Sequence, residues 1–173
     1  HREHCSVDAL HHLMKSQGKQ VGIGLRFEKE IDVLSKLTTG LLIIGGAKAS
    51  DKAKYADIME AKGWTVLRGG LLPGVDLRSD GLDISDERIK NYELRIMEAK
   101  TIVIAGPMGK YEEAPEGTQK IFTAVANSKA YKIAGGGDTE AALEKFGLKE
   151  KFDWISVGGG AMLEYLSSGT LVG

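Results

Sequence analysis

The stretches Tyr131-Lys-Ile-Ala-Gly-Gly-Gly-Asp-Thr139 and Trp154-Ile-Ser-Val-Gly-Gly-Gly-Ala161 decide the fold. In each, a short apolar run of strand length opens into three consecutive glycines, and a helical pattern follows over residues 140–146 and 162–166. A glycine turn between a strand and a helix points free backbone N–H groups and the positive end of the helix dipole at an anion. The repeated unit predicts a site for a polyphosphate, and Asp138 at the mouth of the first turn suggests a metal ion beside it.

The same alternation of strand, glycine and helix runs through the rest of the chain. Continuous apolar runs at 41–44 and 101–105 are typical of strands covered on both faces, and a shorter strand is predicted at 65–67. About five alternations predict an α/β fold, a doubly wound parallel sheet whose ligand lies over the carboxyl ends of the strands. The predicted helices are 6–16, 25–37, 50–62, 86–100 and 116–128, with Ser6, Ser50 and Ser85 as N-caps and a loop at 71–80.

Composition narrows the functional class. The 173 residues carry 23 Lys and Arg against 24 Asp and Glu, so no bulk positive field would recruit nucleic acid or an anionic membrane. The single Cys5 excludes an intrachain disulfide and is typical of a reducing compartment. No apolar run approaches the roughly 20 residues of a membrane span. We therefore expect a cytoplasmic protein with small-molecule partners.

Several familiar signatures are incomplete. Gly22-Ile-Gly24 lacks the third glycine of a dinucleotide fingerprint, which argues against an NAD-dependent dehydrogenase. Gly109-Lys110 lacks the preceding glycine and the following hydroxyl residue of a Walker A loop. The four histidines lie within the first twelve residues near Cys5, but their spacings match no standard zinc-binding set.

The segment Gly45-Gly-Ala-Lys-Ala-Ser-Asp-Lys52 follows a strand and places Lys48 and Lys52 four residues apart on one helical face. Lysines at a helix N-terminus oppose the dipole unless an anion is present. From this segment alone, solvated surface lysines and phosphate ligands remain equal alternatives. Asp138 is similarly open, because an aspartate before a helix is also a good N-cap.

A series of motifs in this order resembles the phosphoglycerate kinase family over almost the whole chain. The motifs are His1-Arg2-x-His4-x-Ser6, Gly45-Gly-Ala-Lys-x-x-Asp-Lys52, Gly81-Leu-Asp-Ile84, Lys100-Thr-Ile-Val-x-x-Gly-Pro-Met-Gly-x-Tyr-Glu112, Gly117-Thr118, Gly135-Gly-Gly-Asp-Thr139 and Ser156-x-Gly-Gly-Gly-Ala-x-Leu-Glu164.

The resemblance implies a Rossmann-like nucleotide domain preceded by interdomain helices. Residues 1–38 would be the end of an N-terminal substrate domain with the interdomain helices, and residues 39–173 the nucleotide-binding domain. A segment of the family is missing near Leu72-Pro73. The implied reaction is the glycolytic one, reversible phosphoryl transfer from 1,3-bisphosphoglycerate to Mg-ADP, giving 3-phosphoglycerate and ATP. Without the rest of the substrate domain, this chain alone is expected to be inactive, and a monomer is expected.

The resemblance also implies site residues, by position. Lys48, Gly137 and Gly160 would act on the transferring phosphoryl group, Asp138 would hold Mg²⁺, and Arg2 and His4 would contact the glycerate. The implied nucleotide-binding residues are Lys52, Gly70, Gly81, Leu82, Pro107, Glu112, Gly136 and Thr139.

The chain departs from the family pattern near the expected base and sugar. Ile104-Ala105 stands where the family has Trp-Asn, and Lys110 stands where it has valine. These departures favour the alternative of a noncatalytic adenine-nucleotide-binding module or inactive fragment of the same fold. Lys48, Asp138 and Gly160 favour the kinase, because binding alone needs no groups for a transferring phosphoryl.

Overall fold

A computed structural model of the chain describes residues 8–20, 24–46 and 49–171. Seven α-helices and five strands occur in these ranges, with one short 3₁₀ turn at Lys149–Lys151. The helices are α1 (Asp8–Ser16), α2 (Leu25–Ser35), α3 (Ala49–Ala61), α4 (Asp86–Glu98), α5 (Glu116–Asn127), α6 (Gly137–Lys145) and α7 (Gly159–Ser168). The strands are β1 (Leu41–Ile44), β2 (Thr65–Arg68), β3 (Thr101–Ala105), β4 (Tyr131–Gly135) and β5 (Trp154–Ser156).

The five strands form one sheet in the order β2-β1-β3-β4-β5, and every pairing is parallel. The predicted doubly wound parallel sheet is therefore confirmed. The chain moves from β1 outward to β2, then returns to the other side of β1 for β3. This reversal creates a topological switch point between β1 and β3, where the carboxyl ends of strands leave a crevice for ligands.

The sheet separates two hydrophobic clusters, because successive strand residues point to opposite faces. In β1, Leu41 and Ile43 belong to the cluster that includes helices α4 and α5, whereas Leu42 and Ile44 belong to the cluster that includes α3 and α7. All four side chains are almost fully buried. The continuous apolar run of this strand thus reflects burial on both faces, as the sequence predicted.

Three predicted helix starts differ from the structure. Helix α3 begins at Ala49, so Ser50 lies inside the helix and not at its N-cap. Helices α6 and α7 begin inside the glycine triplets, at Gly137 and Gly159 rather than near residues 140 and 162. Because β4 ends at Gly135 and α6 begins at Gly137, Gly136 is the single residue of the turn between them. Its φ of +100° suits a residue without a Cβ.

The other boundaries agree within a few residues. Ser85 is confirmed as the N-cap of α4, because its hydroxyl accepts a hydrogen bond from the Arg88 amide over 3.3 Å. The predicted cap Ser6 lies outside the described residues. Within the described ranges, no helix is both long and apolar enough to cross a membrane.

Candidate functional site

A cavity of about 170 Å³ opens at the carboxyl edge of the sheet, beside the switch point between β1 and β3. The turns after β1, β2 and β3 contribute to its wall, together with the segment around residues 77–82 and the first turn of α6. Its lining residues are Gly46, Gly70, Leu71, Leu77, Gly81, Leu82, Pro107, Gly109, Lys110, Tyr111, Glu112 and Asp138. The cavity therefore combines an apolar floor with two carboxylates and one ammonium group.

Glycines let the strand ends approach each other backbone to backbone. A Cβ on Gly70 would collide with the Gly46 amide, and a Cβ on Gly106 would collide with the Gly45 carbonyl. Gly46, Gly70 and Gly106 also have φ values of +100°, +61° and +112°, which disfavour other residue types. The glycines that follow β1, β2 and β3 are thus required by the narrow spacing of this cleft floor.

Lys52 lies half-buried at the switch point. Its Nζ donates hydrogen bonds to the Gly45 carbonyl over 2.6 Å and to the Ala105 carbonyl over 3.0 Å. The ammonium group therefore holds the carboxyl ends of β1 and β3 together and places a positive charge beneath the cleft. The sequence left two alternatives for Lys52, a solvated surface lysine or a phosphate ligand. The two hydrogen bonds exclude a freely solvated side chain, and the contact with phosphate stays a prediction.

The two glycine triplets lie side by side. The Gly136 amide donates to the Ser156 carbonyl over 3.4 Å, and a Cβ on Gly159 would lie 2.8 Å from the Gly135 carbonyl oxygen. The N-termini of α6 and α7 consequently point to the same edge of the sheet. The dipoles of the two helices and the backbone amides of their first turns form a positive site there, which suits a phosphate group.

Asp138 is exposed in the first turn of α6 and also lines the cavity. The N-cap of α6 is Gly136, without a side-chain cap bond, so the alternative that Asp138 is an N-cap is wrong. Within the described ranges, no cluster of three or more His, Cys, Asp or Glu residues could hold a metal by itself. One carboxylate beside a turn whose geometry suits a phosphate nevertheless fits Mg²⁺, which is commonly held by one or two carboxylates and substrate phosphates.

Thr139 is buried behind this turn. Its hydroxyl donates to the Gly135 carbonyl over 2.9 Å and accepts a hydrogen bond from the Gly106 amide over 2.8 Å. The side chain joins the turn after β3 to the turn after β4. The structure thus gives Thr139 a structural contact that the sequence did not reveal, while its predicted contact with phosphates stays a prediction.

A buried carboxylate, Asp83, lies under the cavity wall and was not among the predicted site residues. Its side chain accepts hydrogen bonds from the amides of Ile84 over 2.8 Å and Gly117 over 2.6 Å. Burial raises the pKa of Asp83 above its ordinary value, because desolvation outweighs these two hydrogen bonds. The signal in the sequence was an aspartate between two apolar residues in Gly81-Leu-Asp-Ile84.

The rim of the cavity carries opposite charges. Glu112 is exposed, whereas the neighbouring Tyr111 is buried, and burial together with the Glu112 charge raises the pKa of Tyr111. The Lys110 Nζ lies 3.9 Å from the Glu113 carboxylate and remains largely exposed. Lys110, which stands where the family has valine, thus places a solvent-exposed positive charge at the rim of the cavity.

The structure brings most of the predicted residues to one edge of the sheet. Gly70, Gly81, Leu82, Pro107, Glu112 and Asp138 line the cavity. Gly136, Gly137, Thr139 and Gly160 belong to the glycine turns beside it, and Lys52 lies at the switch point. The predictions for Arg2, His4 and Lys48 fall outside the described residues.

The fold and cavity define a doubly wound α/β domain with its ligand site at the switch point. Residues 72–169 match the family model for phosphoglycerate kinase. The chain belongs to the phosphoglycerate kinase family, and the predicted resemblance is confirmed.

Individual relatives agree with this assignment. The chain is 32% identical to a phosphoglycerate kinase of Bdellovibrio bacteriovorus over 242 residues, covering 100% of this chain and 59% of that protein. A phosphoglycerate kinase of Thermoplasma acidophilum is 48% identical over 91 residues, covering 51% of this chain and 22% of that protein. The crystal structure of phosphoglycerate kinase from Pyrococcus horikoshii matches 99% of this chain and 59% of its own length, with a TM-score of 0.77 and 25% identity. The chain thus spans about three fifths of the length of the Bdellovibrio bacteriovorus and Pyrococcus horikoshii proteins.

Proposed function

We propose that this chain is the nucleotide-binding part of a phosphoglycerate kinase. The enzyme would transfer a phosphoryl group reversibly from 1,3-bisphosphoglycerate, an acyl phosphate, to Mg-ADP, giving 3-phosphoglycerate and ATP. The observation that carries this proposal is the adjacency of the cavity and the two glycine turns, because together they provide places for a base and a polyphosphate. Membership in the family supplies the reaction class.

The cavity suits the adenosine part of the nucleotide. Its apolar lining by Leu82 and Pro107, and the close approach allowed by Gly70 and Gly81, fit a flat heteroaromatic ring. Glu112 at the exposed rim would accept hydrogen bonds from the ribose hydroxyls.

The phosphates would extend from the cavity toward the turns after β4 and β5. The backbone amide of Gly137 and the N-terminus of α7 at Gly160 would donate to phosphate oxygens, and Gly136, without a side chain, would let the nucleotide phosphates approach the turn closely. Asp138, which borders both the cavity and this turn, would hold Mg²⁺. Bound Mg²⁺ would neutralise part of the phosphate charge.

Transfer of the phosphoryl group then needs positioning and positive charge. Its transition state is loose and spreads negative charge over the equatorial oxygens, so no nucleophilic side chain is required. The amides of Gly137 and Gly160 would stabilise that charge from fixed positions, together with the ammonium group of Lys48. Lys52 would contribute a second positive charge beneath the nucleotide phosphates. The attacking oxygen of ADP is already anionic, so no protein base is required.

The glycerate side of the reaction requires groups beyond those described. We propose that Arg2 and His4 contact the glycerate, and that residues 1–38 and 39–173 divide into substrate-domain and nucleotide-domain parts. The relative from Bdellovibrio bacteriovorus aligns over 242 residues with the 173 of this chain, which supports a missing internal segment, proposed near Leu72-Pro73. We expect this chain alone not to turn over, and we place the enzyme in the cytoplasm as a monomer.

The experiment measures ATP formation from 1,3-bisphosphoglycerate and ADP, together with calorimetric binding of ADP and the intact mass of the purified protein. A protein larger than this chain that binds ADP and forms ATP supports the proposal. Lys48→Ala should then abolish turnover with little loss of ADP binding, because the lysine acts on the transferring group. A protein that includes the substrate domain and binds no adenine nucleotide would contradict it.

A noncatalytic nucleotide-binding module is the second candidate. It is favoured by Ala105, which is buried at the end of β3 and offers no polar side chain, and by Lys110 at the rim. The two candidates separate in the same assay, because a binding module would retain ADP affinity but form no ATP, even with the substrate domain present.

A further inference from the structure

The Asp83 carboxylate is buried beside the cavity without lining it. The residue is 1% exposed, yet the two residues before it, Gly81 and Leu82, form part of the cavity wall. Its Oδ1 accepts a hydrogen bond from the Ile84 amide, inside its own loop, and its Oδ2 accepts one from the Gly117 amide, 34 residues along the chain. The second bond links the wall segment to a different secondary-structure element.

Gly117 lies in the first turn of α5. The amides of a helical first turn have no partners within the helix, and the dipole there favours a negative charge. The N-cap of α5 is Pro115, which provides no side-chain cap bond. Asp83 therefore supplies an anionic cap to α5 from outside the helix.

Two glycines leave room for this carboxylate. A Cβ on Gly117 would collide with the Asp83 carboxylate, and a Cβ on Gly109 would lie 2.6 Å from its Oδ1. Gly109 itself lines the cavity, and the following Lys110 amide donates to the Leu82 carbonyl over 2.8 Å. Three separate segments, around residues 82, 109 and 117, therefore converge on Asp83.

We propose that Asp83 is a positioning residue for the base-binding wall of the cavity. It touches no ligand and acts through Leu82 and Gly109, which it fixes against the N-terminus of α5. This inference rests on the proposed function, because it takes the adenine nucleotide as the ligand of the cavity. The hydrogen bonds of the Asp83 side chain run to Ile84 and Gly117, and not to the glycine turns after β4 and β5. Loss of this carboxylate should therefore affect recognition of the base more than recognition of the phosphates.

The test compares ADP and inorganic tripolyphosphate as probes on the full chain. Asp83→Asn leaves only one side-chain oxygen to accept a hydrogen bond from the Ile84 and Gly117 amides. The new NH₂ group would face the other amide, donor against donor. We expect ADP binding to weaken about tenfold, because loosening the shell that supports a site degrades its geometry. Tripolyphosphate binding should stay within about twofold of the unmodified chain. The matched control is Asp86→Asn, an exposed carboxylate three residues away, which should change neither affinity.

A second variant reaches the same contact from the other side. Gly117→Ala keeps the carboxylate but displaces it from α5, so it should also weaken ADP binding and spare tripolyphosphate binding. Thermal unfolding monitors whether each variant is folded. If neither variant folds, Asp83 is a residue of the folding core, and the positioning role is overturned.

The outcomes separate the two proposals. If the unmodified chain binds tripolyphosphate but not ADP, the proposed function fails, and this inference fails with it. If it binds ADP and Asp83→Asn binds ADP equally well, only the positioning role is overturned. Equal losses of both probes in a folded variant also overturn that role, because they show a general effect on the cleft.

Discussion

The Thr139 hydroxyl bridges two turns that are far apart in sequence. It accepts a hydrogen bond from the Gly106 amide over 2.8 Å and donates one to the Gly135 carbonyl over 2.9 Å. Thr139 is 1% exposed, so water does not replace either partner if the hydroxyl is lost. The contact fixes the turn after β3, which borders the cavity, relative to the turn after β4, which is proposed to bind phosphates.

Thr139→Val should destabilise the protein measurably. Valine keeps the shape of threonine but leaves the Gly106 amide without its partner, and an unsatisfied buried polar group costs about 1–3 kcal/mol. The free energy of unfolding, measured by chemical denaturation, should fall by this amount. Thr139→Ser is the matched control and should retain most of the stability, because it keeps the hydroxyl. Equal stability of the valine and serine variants would contradict the bridging role.

Lys52→Met should also loosen the cleft. Methionine retains much of the apolar stem but removes the donor to the Gly45 and Ala105 carbonyls, which lie at the ends of adjacent strands. We expect a loss of about 1–3 kcal/mol in the free energy of unfolding, since charged hydrogen bonds are stronger than neutral ones. Lys54→Met, an exposed position on the same helix, is the control and should have little effect. A similar stability loss in both variants would show that general helix charge, and not the two carbonyl contacts, is responsible.

Asp138→Asn should discriminate between Mg-ADP and free ADP. The carboxylate would attract Mg²⁺ but repel metal-free phosphates, so its loss should weaken Mg-ADP binding by about tenfold, or ~1.4 kcal/mol. Free ADP should bind equally well or slightly better. Calorimetry with magnesium and with a chelator gives both values.

Glu140→Gln provides the control for Asp138, because Glu140 lies in the same first turn of α6 but pairs with Lys149 over 2.7 Å. It should leave the preference for Mg-ADP unchanged. If Asp138→Asn weakens both nucleotide forms equally, Asp138 only tunes the charge at the N-terminus of α6 and does not hold the metal.

The strands and the fold class could be predicted because their signals are local. The continuous apolar runs that became β1 and β3 are buried on both faces, and the glycines after them permit the close approach of Gly45 to Gly106. The strand order could not be predicted from pattern alone, since pairing between β1 and β3 joins segments that β2 and α4 separate in sequence. The family resemblance supplied the candidate site residues, which periodicity alone could not.

The errors at helix starts have a physical cause. Because glycine has a low intrinsic helix propensity, we predicted that α6 and α7 begin after the glycine triplets. Packing of the two turns against each other outweighs that propensity, and the helices begin at Gly137 and Gly159. The structural contacts of Asp83 and Thr139 could not be predicted for a different reason, because their partners, Gly117 and Gly106, lie more than thirty residues away in sequence.

The buried Asp83 carboxylate should leave a signature in the pH dependence of stability. Burial raises its pKa in the folded protein above the ordinary value of about 3.9. The charged groups that act on it are Arg78, whose guanidinium favours the ionised form, and Glu116 in the first turn of α5, which opposes it. The net direction remains upward because desolvation is the largest contribution.

The sign of the effect follows from proton linkage. A raised pKa means that the folded state binds the Asp83 proton more tightly than the unfolded state, so this group adds stability as the pH falls through the raised pKa toward about 3.9. Asparagine does not titrate, and the other carboxylates contribute equally to both proteins. The free energy of unfolding of the unmodified protein, minus that of Asp83→Asn, should therefore increase when denaturation is measured at about pH 4.5 instead of pH 7.

Glu116→Gln should reduce this increase, because it removes the neighbouring negative charge that helps to raise the pKa of Asp83. A difference that stays constant or shrinks on acidification would show that the two amide hydrogen bonds outweigh desolvation, and that the pKa of Asp83 is not raised in the folded protein.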